Sequence, residues 1–149
     1  MPPRDLRRHR APVALARSAL ALGLLAAWAM PATATAAPRL RCHIEQGGTS
    51  QVLEFAPVAD PYSVPAISIN GRFRFKAVVI GDARSVQYIN LYTYYQTERR
   101  LLLLHEAKYQ APTIQANPAR DALTGGNYLY SPGREREFQY GCALLEVSP

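Results

Sequence analysis

Between residues 67 and 105 the chain keeps a strand rhythm of apolar and polar positions, broken only by turn chemistry. In Ile67-Ser68-Ile69-Asn70-Gly71-Arg72-Phe73-Arg74-Phe75-Lys76 two alternating runs flank an Asn-Gly pair. That pair suits the positive φ angles of a type I′ turn and predicts a β-hairpin. Strand-like runs at 85–97 and 100–110, joined at Glu98-Arg99, extend it into an antiparallel meander. Before the meander the pattern predicts strands at 40–45 and 50–56, joined at Gly47-Gly48. After it come a short strand at 128–130 and a last one at 134–147. Asp60-Pro61 and Val64-Pro65 make 57–65 a loop, because proline removes ladder donors and restricts the residue before it. Pro112, Pro118 and Gly125-Gly126 leave 111–127 irregular, with at most a helical turn at Asp121-Ala122-Leu123. A loop of this length in a small domain covers or binds something. Six to eight short strands with no sustained helical period predict an all-β fold, a small antiparallel sandwich or barrel.

The same pattern assigns faces. Phe73, Phe75, Ala77 and Val79 share one side of the 72–80 strand and are expected in the core. Arg72, Arg74 and Lys76 share the other side, but Val78 and Ile80 join them. In the next strand Ile89 and Leu91 oppose Tyr88, Asn90, Tyr92 and Tyr94, and Leu102 and Leu104 are expected to continue the tyrosine side. Strands apolar on both sides differ from a sheet with one solvated face. Either the 111–127 loop folds over this second face, or its tyrosines merely pack across strands with arginine stems, or the face is a binding surface. Tyrosine offers a rigid ring with a hydroxyl, and arginine and lysine attract anionic groups. The candidate binding residues are therefore Arg72, Arg74, Lys76, Tyr88, Tyr92 and Tyr94, facing a protein, a glycan or a second copy of the chain.

The first 36 residues change the picture. Arg4, Arg7, Arg8, Arg10 and Arg17 precede an apolar run from Ala19 to Met30, and Ala34-Thr35-Ala36 supplies a small-residue cleavage site before Ala37. These are the three parts of a secretory signal, and the apolar run is short for a membrane span of about 20 residues. Cleavage leaves residues 37–149 as a single β domain with no transmembrane span, exported to the periplasm or secreted from a bacterial cell. It also removes five arginines and Asp5, so the net charge falls from +6 to +2. The basic balance thus belongs mostly to export and gives no argument for nucleic acid. All nine tyrosines remain.

The two cysteines, Cys42 and Cys142, lie near the ends of the mature segment. Each shares a strand face with apolar neighbours: Leu40 and Ile44 for the first, Phe138, Tyr140 and Leu144 for the second. In an oxidising compartment this predicts a disulfide joining first and last strands.

No motif for catalysis, metal or cofactor stands out. Nucleophile elbow, phosphate-binding glycine loop and His-Glu-x-x-His are all missing from the sequence. His43 points away from Cys42 and reads as an exposed histidine. His105 reads as a polar residue closing a strand, on the opposite side from Glu106. The expectation is a non-enzymatic binding or accessory module of the cell envelope. A small hydrolase would need His105 beside a carboxylate or serine, and an inhibitor a protruding 111–127 loop bearing Arg120 or Asp121. A subunit of a surface assembly would need a long unpaired edge strand.

Overall fold

The computed structural model of the chain describes residues 36–133 and 136–148. The expected signal segment lies outside them save for Ala36, as do positions 134 and 135 of the last expected strand. The described residues form β1 (Ala37–Gln46), β2 (Thr49–Phe55), β3 (Ile67–Ile69), β4 (Phe73–Gly81), β5 (Val86–Gln96), β6 (Leu101–Gln110), β7 (Asn127–Tyr130) and β8 (Glu137–Val147). Their only helical element is one 3-10 turn, Pro61–Ser63. Among the described residues no helix is long and apolar enough to cross a membrane.

The strands make two antiparallel sheets of four, ordered β2-β1-β8-β7 and β3-β4-β5-β6. The second sheet is a meander of neighbours in sequence. The first is assembled from the two ends of the domain. Their inner faces meet through Phe73 and Phe75 of β4 and Phe138 and Tyr140 of β8, with ring centroids 5.1 Å apart for Phe73–Phe138 and 5.2 Å for Phe75–Tyr140. Leu40, Ile44, Ile89, Leu91 and Leu144 are buried in the same core. This is the expected all-β sandwich.

Local chemistry explains the turns. Asn70 and Gly71 take φ of 49° and 67°, and Arg72 N–H donates to the Ile69 carbonyl at 3.1 Å. Both central residues are thus left-handed, as a type I′ turn requires. The Asn70 amide also donates to the main-chain and side-chain oxygens of Gln46 at 3.1 and 2.8 Å, tying this hairpin to the end of β1. Between β4 and β5 the Asp82 carboxylate accepts the N–H groups of Arg84 and Ser85, which hold its carboxyl below the usual range.

Cys42 and Cys142 oppose each other in the β1–β8 ladder, with Cα atoms 4.1 Å apart, and form the disulfide with both side chains fully buried. First and last strands are joined as expected, but as neighbours in one sheet rather than across the sandwich.

Two loops go where the sequence did not direct them. The 111–127 segment leaves β6 and closes on β8, on the other sheet. Gln115 N–H donates to Leu144 O, Leu123 N–H to Cys142 O, and Cys142 N–H to the Thr124 hydroxyl. Ile114 and Leu123 pack against the core from its side. Asp121 lies over Gly141, where a Cβ would come within 2.7 Å of the Asp121 Cβ. This loop therefore does not cover the tyrosine face. The 57–63 segment goes instead to the edge of β4, beyond β3, where Val58 forms a parallel bridge with Ile80. Val58 bonds along β4 at Val79 and Gly81, and the 3-10 turn packs on β4. Val78 and Ile80, outward but apolar, are buried.

Leu102 and Leu104 also require a correction. A register shift in β5–β6 lets Tyr94 pair with Leu103 while Thr93 pairs with His105. The extra residue is a β-bulge that reverses side-chain parity. Leu101 and Leu103 lie outward and exposed, and Leu104 packs against the core.

Candidate functional site

The outer face of β4-β5-β6 brings five of the six expected residues into one row. Arg74 pairs across the ladder with Tyr94, and Lys76 with Tyr92. The Tyr92 and Tyr94 rings lie nearly parallel, 17° apart in plane, with centroids separated by 6.3 Å. They are two apart on one strand, so their spacing follows from the pleat. Tyr88 sits further along the same strand, with the Lys108 ammonium 5.0 Å from its ring centroid. Arg72 lies in the turn before β4 rather than in the strand, and is exposed at the end of the row.

The row is partly open. Arg74, Lys76, Tyr88, Tyr92 and Tyr94 are each half-buried, with the Tyr92 and Tyr94 rings covering one another's flanks. Arg74 Nε donates to Gln96 Oε1 at 3.1 Å, which fixes the guanidinium across the strands. Asn90 donates from its amide to the Tyr92 hydroxyl at 3.3 Å, and no described donor reaches its Oδ1. The Tyr94 hydroxyl is pushed above the ordinary phenol range, first by burial and then by the neighbouring Tyr92 and Glu106. It thus remains a neutral donor at any physiological pH. Exposed Leu101 and Leu103 of β6 border the row.

Chemically the surface offers a stacked pair of tyrosine rings with Tyr88 beyond them, the Arg74 guanidinium held by Gln96, the Lys76 ammonium, and several hydroxyl or amide groups within three strands. Such a set can stack on a flat apolar face and hold an anionic or hydroxyl-bearing group beside it.

The other named positions fall elsewhere. His105 stands inside β6, not at its end, and turns inward so that its Nδ1 lies 2.9 Å from the Tyr140 hydroxyl. Burial pushes that hydroxyl far above the ordinary range. No carboxylate or serine hydroxyl bonds to His105 among the described residues. His43 is half-buried rather than exposed, on the outer side of β1, beside Pro118 and Arg120 of the long loop. Arg120, largely exposed, reaches Glu45 at 3.7 Å, and Asp121 rests over Gly141. Sequence reasoning placed Asn90 on this face without naming it as a candidate, and missed Lys108 and Leu103 as members of the row. Lys108 was legible from parity alone; Leu103 was not, because the bulge intervenes.

Comparison of the chain with protein-family models, with curated proteins and with solved structures gives no match. The functional argument therefore stands on this surface.

Proposed function

We propose that this chain is an exported, non-enzymatic binding or accessory module of the cell envelope, which engages a protein or glycan through the outer face of β4-β5-β6. One observation carries the reading: Tyr92 and Tyr94 stack beside Arg74 and Lys76 on a sheet face that the long loop leaves open. Rigid rings with hydroxyls lose little entropy on binding, and tyrosine and arginine are the residues that interfaces concentrate. The buried disulfide fits an oxidising compartment. The basic, apolar and small-residue parts of residues 1–36 support the export reading.

The test is capture of partners from envelope extract by the immobilised chain, compared with an Arg74→Ala/Tyr92→Ala double variant. Both side chains are half-buried on the outer face, so thermal midpoints should agree within a few degrees. Capture should fall at least tenfold, as loss of two anchors implies. Equal capture by both proteins, or unfolding of the variant, would remove the proposal.

A further inference from the structure

Among the described residues β6 is an edge strand of ten residues, paired only with β5. Which of its backbone groups are free follows from one bond. Ala111 N–H donates to Gln87 O at 2.8 Å, so position 111 belongs to the hydrogen-bonded class of the β5–β6 ladder. That class alternates along an antiparallel pair and so takes in Tyr109, Ala107 and His105. The N–H and C=O groups of Glu106, Lys108 and Gln110 therefore point away from β5. Among the described residues no backbone group meets them. Glu106 and Lys108 are exposed, and their side chains stand on the outer face with Ala107 between them.

We propose that β6 pairs antiparallel with β6 of a second copy about a twofold axis at Ala107, giving one continuous eight-stranded sheet. In this register Glu106 of each copy faces Lys108 of the other. Both residues present free backbone groups to the edge, so each facing pair is also a hydrogen-bonded pair. The neighbouring allowed registers fail electrostatically. A shift one way sets Lys108 opposite its own copy, and a shift the other way sets Glu106 opposite Glu106. Like charges directly opposite in a ladder repel. The bulge at the start of β6 limits the regular stretch to residues 105–110, which this register uses. Ala107, at the axis, adds no bulk. An exposed, regular edge that stays unpaired is an aggregation hazard, and pairing with a symmetric copy closes it. The twofold axis runs perpendicular to the sheet, so both tyrosine rows face the same way. The inference does not rest on the binding role of those rows.

The test uses the full chain in sedimentation equilibrium over a concentration series. Wild type should form a dimer that dissociates on dilution. Glu106→Lys alone or Lys108→Glu alone places like charges in both facing pairs and should weaken the dimer roughly tenfold or more. An equimolar mixture of these two single variants places a lysine opposite a glutamate at every facing pair and should restore the dimer as a heterodimer. Both positions are exposed, so circular dichroism should show folded variants. Amide exchange at Glu106 and Lys108 should slow as the dimer fills, while exchange at Ala107 stays as it was. A wild type that remains monomeric overturns the proposal. So do single variants that dimerise like wild type, or a dimer that leaves the Glu106 and Lys108 amides unprotected. The Arg74→Ala/Tyr92→Ala variant should dimerise normally, which separates this inference from the binding role.

Discussion

Tyr140 carries the only hydroxyl aimed from the first sheet at His105 of the second among the described contacts, at 2.9 Å from its Nδ1. Burial raises its folded-state ionisation well above the usual value of 10.0, with a smaller contribution from nearby Tyr109. The sign of the resulting pH dependence follows directly. A group whose folded value is raised keeps its full contribution below the unfolded value and loses it as pH climbs above that value. Stability should therefore be flat with respect to this group below pH 10 and fall above it, by about 1.4 kcal/mol per pH unit for one phenol. Tyr109 and Tyr94 are shifted the same way and should add to the slope. Tyr140→Phe removes one contributor. It should lower stability at pH 7 by about 1–2 kcal/mol, through the lost hydrogen bond, and make the alkaline decline shallower. Urea unfolding at pH 7 and at several values above 10 measures both effects. An unchanged alkaline slope would show that Tyr140 ionises freely in the folded protein.

At the scale of elements, the hairpin at Asn70-Gly71 was readable because turn chemistry and alternation agree over the same ten residues. The structure adds what the pattern lacked, the two bonds from the Asn70 amide to Gln46. Asn70→Ala combines two losses. Alanine at a φ of 49° is strained by roughly 1–2 kcal/mol, and the bonds to Gln46 disappear. Asn70→Gly loses the bonds without the strain, so it should be the milder of the two by about that amount. Thermal or urea midpoints of the pair separate the contributions. The same logic shows why β6 misled. Leu101-Leu102-Leu103-Leu104 carries no alternation, so parity had to be borrowed from β5, and the bulge beside Leu103 reverses it. Nor could the sequence reveal where the 57–65 and 111–127 loops settle. Their proline and glycine content forbids regular structure but names no docking surface. Val78 and Ile80 are apolar on the outer side of β4 and buried, and the pattern gave no sign that Val58 pairs along the edge beside them. The tyrosine row itself was legible, since its members alternate on a single strand.

At the scale of the molecule, the two sheets differ in how the chain makes them. β3-β4-β5-β6 is a meander drawn from residues 67–110, so all its ladders close over short loops. β2-β1-β8-β7 needs the two ends of the domain to meet, and the disulfide spans a sequence separation of 100. Closing a loop of that size in the unfolded chain confines it strongly. In the chain-entropy model this amounts to roughly 4–5 kcal/mol, a large part of a typical domain stability of about 5–15 kcal/mol. A Cys42→Ala/Cys142→Ala variant should therefore unfold at markedly lower urea concentration, and it also loses a buried sulfur pair from the core. The loss should not be uniform. Local ladders need no help from the crosslink, so exchange protection should fall first in β1 and β8 and last in β4 and β5. The tyrosine row rides on β4 and β5. Below its lowered midpoint the variant should thus capture envelope partners as wild type does. Exchange mapping and capture on the same sample test both halves together. Protection lost equally in the two sheets, with capture lost alongside, would mean that the sulfur link organises the whole sandwich and not only the sheet that holds it.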